Sequence, residues 1–152
     1  MPGFVKNRDR KEILDYFAHR FGIPEERFQP YELFERGKMI RIISTSPQLE
    51  EAMRSLKVER VGIPFLRRKR PIWKPTTVGL QIFGSGATRN VMDLDREAFE
   101  LLFGGEPLHQ ALPFEPGYVI LRWKGGVLGC GFYDKGVLES QIPRSGTKVK
   151  KE

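Results

Sequence analysis

The sequence predicts an α+β fold, a small helix-and-hairpin unit followed by a small, partly closed β-barrel. Three observations carry this. Ile13, Leu14, Phe17 and Phe21 recur at helical spacing, and two β-prone runs, Tyr31 to Arg36 and Met39 to Ser44, meet at Gly37-Lys38. The carboxy-terminal third is a series of short strands parted by glycine turns. The 152 residues suit one ordinary domain or two small ones packed together, and a 39% hydrophobic content with eleven Phe supplies enough apolar surface for a core.

The elements follow in order. Asp9 with Glu12 three residues later reads as a capping box that opens the first helix, and Gly22 followed by Pro24 stops it. The Gly37-Lys38 pair joins the next two runs as a hairpin. Ser46 is expected to cap a second helix with Pro47 at its first position and Leu49, Ala52, Met53 and Leu56 on its buried face. Val58 to Leu66, interrupted at Gly62 and Pro64, reads as one bent strand.

Beyond this, the β-branched run Thr76 to Phe83 is expected to form a strand that enters the loop Gly84-Ser85-Gly86-Ala87-Thr88-Arg89-Asn90. A short helix follows, with Asp95 as its cap, Leu94 and Phe99 as a hydrophobic staple and Gly104-Gly105 as its end. Gly117 to Lys124 and Val127 to Tyr133 are expected to pair across Gly125-Gly126, and Asp134-Lys135-Gly136 turns into Val137 to Ser140. This divides the chain into an α+β domain over 1–72, a β-barrel domain over 73–147 and a basic tail over 148–152.

Several function classes are disfavoured. The single Cys130 excludes an internal disulfide and a multi-cysteine zinc site, and His19 and His109 stand alone, so neither structural metal nor a cofactor is expected. No apolar run approaches the roughly 20 residues of a membrane span. The amino terminus places Lys6, Arg8, Arg10 and Lys11 after Phe4-Val5 with no apolar segment behind them. A soluble, cytoplasmic protein without a membrane partner is expected. Seven Asn and Gln residues against 30% charged residues lean toward a thermophilic source.

The charge is unevenly distributed. Residues 54–90 hold nine basic side chains against Glu59 alone, whereas residues 1–53 balance nine against nine and residues 91–134 hold three against seven. A concentrated basic block suits a polyanion, because each phosphate that Lys or Arg neutralises releases condensed counterions. Arg67, Arg68, Lys69, Arg70 and Lys74 are the phosphate-contact candidates, and Trp73 among them is a candidate for stacking on an unpaired base. A solvated basic face without a partner is the plain alternative.

Catalytic constellations are weaker. Gly84-Ser85-Gly86 lacks the third glycine of a dinucleotide loop, since Arg89 stands in its place, and the chain has no Gly-Lys-Ser/Thr of a P-loop. A phosphate of RNA beside this loop, with Arg89 as charge partner, and a plain tight turn both stay open. Cys130, between Gly129 and Gly131 in a strand, reads as a small buried hydrophobe. Glu25-Glu26, Glu50-Glu51 and Asp93-Asp95 fall at turns and helix starts, where carboxylates complement the helix dipole.

Two stretches resemble a known family. Gly117-Tyr118-Val119-Ile120, Leu128-Gly129-Cys130-Gly131, Gly136-Val137-Leu138 and Gln141-Ile142-Pro143-Arg144 are similar to the PUA-like domain that ends RsmF-type (Nol/Nop/Sun) RNA cytosine-5 methyltransferases. Ile13-Leu14-Asp15-Tyr16-Phe17 with Arg20-Phe21-Gly22-Ile23-Pro24 resembles the pre-PUA unit that precedes such domains. The length and the single cysteine leave no room for the catalytic domain of those enzymes. The resemblance therefore implies a pre-PUA plus PUA pair that binds RNA without catalysis, as an accessory factor for tRNA or rRNA modification or ribosome biogenesis. It also brings forward Arg89, Arg144 and Lys148 as RNA contacts. The rival expectation is an adaptor that docks a separate methyltransferase or assembly factor.

Overall fold

In the computed structural model, residues 3–44, 62–68 and 72–143 are described. The expected second helix over 46–56 lies outside them, as do Lys69, Arg70, Arg144 and Lys148. The fold is α+β, with two five-stranded sheets, the second curled into a half-barrel.

The first sheet runs in the order β1 (Gly3–Phe4), β2 (Tyr31–Arg36), β3 (Met39–Ser44), β4 (Ile63–Arg67), β5 (Lys74–Pro75), all antiparallel. Helix α1 (Asn7–Phe21) packs on it through Ile13, Leu14, Phe17 and Phe21, all buried. The helix begins before the expected capping box: Lys6 is its cap residue without a side-chain bond, and Asp9 sits in its first turn. Its end is the expected one. Gly22 takes a left-handed φ of 69°, and a side chain there would collide with Thr88 Oγ1, so position 22 requires glycine both for its conformation and for the close approach. The hairpin between β2 and β3 turns at Gly37, also at positive φ.

The second sheet has the order β6 (Val91–Asp93), β8 (Gly117–Trp123), β9 (Gly126–Asp134), β10 (Val137–Ser140), β7 (Leu108–His109). Only β6 and β8 are parallel. The turns after β8 and β9 each hold a Lys-Gly pair, Lys124-Gly125 and Lys135-Gly136, with positive φ at both positions, as a type I′ turn needs. The first of these lies one residue earlier than the expected Gly125-Gly126. Helix α3 (Arg96–Phe103) is capped as predicted, with Asp95 accepting from the Ala98 amide at 2.8 Å.

The largest departure is Thr76 to Phe83. Its β-branched content predicts a strand, but Thr77–Phe83 forms helix α2, followed by a 3₁₀ turn over Gly84–Gly86. The Thr76 hydroxyl accepts from the Gly79 amide at 2.9 Å and donates to Pro64 O at 2.7 Å, which starts the helix and ties it to β4. Gly79, Leu80 and Phe83 are then buried on one helical face. Tertiary anchoring outweighs a modest local β preference.

One apolar core joins α1, the first sheet, α2 and the inner residues Ile120 and Cys130 of the second sheet. It therefore includes residues from both sides of the 72/73 division. Phe17 and Phe65 stack within it at 4.7 Å and 23°. A second core lies between the outer face of β8 to β10 and α3, with Val119, Leu121, Tyr133, Leu138 and Leu102 buried. β8 is thus covered on both faces, which explains its unbroken run Val119-Ile120-Leu121.

Candidate nucleic-acid interface

The pairing register of the first sheet gathers cations. Arg36 lies opposite Met39, Met39 opposite Arg67, and Arg67 opposite Lys74, so one cross-strand row carries three basic residues on four strands. Lys38 stands in the hairpin turn at the end of this row, and its carbonyl accepts the Arg68 amide at 2.7 Å. Arg36, Lys38 and Arg67 are exposed. Arg36 and Lys38 escape a charge count along the chain, because the acids of residues 1–53 balance the basic residues there in number.

Each predicted residue among the described ones has a definite place. Arg67 is exposed at the end of β4. Arg68 is half-buried, with Nε 3.8 Å from a Glu35 carboxylate oxygen and its guanidinium 5.4 Å from the centre of the Trp73 ring. Lys74 Nζ donates to Gln141 Oε1 at 3.1 Å. That bond joins the basic row to the end of the second sheet, three residues before Arg144 in sequence.

Trp73 is not presented as a free stacking surface. Its carbonyl accepts from the Tyr16 hydroxyl at 3.0 Å, its ring meets the Tyr16 ring edge to face at 5.9 Å, and Arg68 lies over it. It also borders a shallow depression with Glu12 and Asp15, an acidic setting unsuited to a polyanion. Phe65 is buried.

Arg89 is exposed but belongs to another place, beside the last turn of α1, where its amide donates to Phe21 O at 3.1 Å. Its neighbour Arg20 is a residue that sequence reasoning missed. Arg20 donates through Nε to Tyr118 O and through Nη2 to Glu115 O, both at 2.9 Å, and burial draws its pKa down. It therefore fastens α1 to the start of β8. The Gly84-Ser85-Gly86 loop is the 3₁₀ turn already described, with the Ala87 amide donating to Gly84 O at 3.1 Å. Gly129 of the resemblance motif has a packing role: a side chain there would lie 2.7 Å from Ile142 Cγ1, so the glycine lets the final segment close over β9.

The other titratable candidates are structural. Burial pushes the Cys130 thiol up to about 12, which removes the thiolate a nucleophile needs. Asp93 forms a two-pronged pair with Arg122 at 2.8 and 2.9 Å, and that hydrogen bond lowers its pKa. Among the described residues there is no group of three or more His, Cys, Asp or Glu placed to hold a metal ion, and no helix is long and apolar enough to cross a membrane.

Comparison with known proteins adds a fold relationship. A family model described as a family of unknown function (DUF7122) matches residues 4–62. No curated protein matches. A solved structure, that of a hypothetical protein from the hyperthermophilic archaeon Pyrococcus horikoshii OT3, superposes with a TM-score of 0.58 over 96% of each chain at 14% identity. The chain thus shares its overall fold with that archaeal protein.

Proposed function

We propose that this chain is a non-catalytic RNA-binding module, an accessory factor of the pre-PUA plus PUA kind acting in tRNA or rRNA modification or ribosome assembly. The observation that carries the reading is the cross-strand row of Arg36, Arg67 and Lys74 with Lys38 at its end. Lys38 and Arg67 are exposed to meet phosphates, while Arg68 and Lys74 are held in place by Glu35, Trp73 and Gln141. Lys69 and Arg70 follow Arg67 and Arg68 directly in sequence, and Arg144 and Lys148 follow Gln141.

The test is binding to purified tRNA and to a ribosomal RNA hairpin, titrated against salt, for the wild type and for Lys38→Gln combined with Arg67→Gln. Each lost phosphate contact removes about 0.7 to 0.9 from the slope of log K against log salt, so the double variant is expected to lose about 1.5. An unchanged slope removes this row from the interface. If neither RNA binds at near-physiological salt, the RNA reading falls and the adaptor reading replaces it.

A further inference from the structure

We infer that Phe4 is the stacking platform of a site for an unpaired nucleotide, on the face of β1 and β2 that turns away from α1 and carries Arg36. The inference rests on the RNA-binding reading and names the part of the ligand this end of the sheet would hold. The chain has eleven Phe, four Tyr and two Trp, and all seventeen fall within the described residues. Only two of these rings are exposed, Phe4 at 47% and Phe103 at 41%.

The two rings differ in surroundings. Phe103 belongs to the acidic part of the chain, on the helix that carries Glu97 and Glu100 and just before Glu106, where a polyanion is repelled. Phe4 shares its face of the sheet with Phe34, Arg36 and Arg41. Glu35, between Phe34 and Arg36 in β2, alternates to the opposite face and pairs there with Arg68.

Register places the ring beside the basic row. Phe4 lies opposite Phe34, and Arg36 is two residues along the same strand on the same face, the diagonal neighbour that an aromatic ring and a long side chain can both reach. The ring is also held. The Val5 amide donates to Leu33 O at 2.9 Å, and Phe4 meets the buried Phe34 at 6.3 Å and 80°. An exposed ring on a paired strand, beside cations on the same face, is the arrangement by which proteins hold an unpaired base between a stacking face and phosphate contacts. The aromatic that the sequence nominates for this role, Trp73, is occupied by Arg68 and Tyr16.

The experiment compares a single-stranded RNA oligonucleotide with a duplex of the same length, for wild type, Phe4→Leu and Phe4→Tyr. Phe4→Leu keeps an apolar contact with Phe34 but loses the π face. It is expected to weaken single-strand binding about 5- to 150-fold, the range found for one stacked base. The salt slope should not change, because no cation is lost, and duplex affinity should stay within about twofold. Phe4→Tyr is expected to retain wild-type single-strand affinity, which separates loss of stacking from loss of folding. If the wild type binds RNA and Phe4→Leu binds the single strand equally well, the stacking site is overturned and the RNA reading survives. If the wild type binds neither RNA, both are overturned.

Discussion

Replacing Arg20 with Met should cost this protein about 2–3 kcal/mol. Its guanidinium holds two carbonyls, Tyr118 O in a partly buried position and Glu115 O in an exposed one, both at 2.9 Å. A hydrogen bond from a charged donor contributes about 1.5–3 kcal/mol, and a carbonyl left buried without a partner costs about 1–3 kcal/mol. Water can replace the guanidinium at Glu115 O but reaches Tyr118 O poorly, so the loss falls near one strong bond plus part of a second. Gly117, at φ 137°, shows how close the fit is, since a Cβ there would lie 3.0 Å from Arg20 Cζ. In urea the midpoint should fall with m unchanged, and in a thermal scan a protein of this size should lose about 4–12 °C. Arg20→Lys, with a single nitrogen and no fork, should fall between the two. Lys11→Met, which removes a solvent-exposed pair with Asp15 on the same helix, should leave the midpoint where it is. A loss below about 0.5 kcal/mol for Arg20→Met, the range of ordinary surface changes, would refute the reasoning.

Two further outcomes follow from the same packing. Thr76→Ala removes the cap of α2 and its bond to Pro64 O, and should lower stability by about 1–2 kcal/mol in chemical denaturation, whereas Thr76→Ser, which keeps the hydroxyl, should recover most of it. Burial holds the Cys130 thiol protonated up to about 12 against an ordinary value of 9.0, so the folded state keeps a proton that the unfolded state releases. Its contribution is complete below pH 9 and is lost between pH 9 and 12. Stability should therefore decline over that interval more steeply in the wild type than in Cys130→Ala. A thiol reagent at neutral pH should label Cys130 only through unfolding, and immediate labelling of the native protein would contradict its burial.

How much was legible depended on whether the deciding partner lay nearby in sequence. Helix α3 was readable because its cap and its terminating glycine are local, at Asp95 and Gly104. The hairpins were readable because two residues determine each turn. Helix α2 was not, because its stabilising contact is the Thr76 hydroxyl on Pro64 O, twelve residues away, while Thr77, Val78 and Ile82 locally favour a strand. Arg20 was not, because its partners lie 95 and 98 residues along the chain. Nothing in the neighbourhood of Arg20 distinguishes it from the exposed cations of the same helix.

The candidate site divides in the same way. Counting charge along the chain found Arg67, Arg68 and Lys74, because those cations are concentrated in sequence. It passed over Arg36 and Lys38, whose membership depends on antiparallel register: β3 returns beside β2, and β4 then sets Arg67 against Met39. Such a row forms only when strand pairing brings separated residues to one end of a sheet. The same register underlies the proposed aromatic partner. Trp73 is adjacent in sequence to the basic run, yet it turns toward α1 and Tyr16, while Phe4, some sixty residues from that run, is exposed on the edge strand beside Arg36. A polyanion meets the surface that pairing creates, so sequence proximity to charge is a poor guide to which ring can receive a base, and the order of strands across the sheet is the better one.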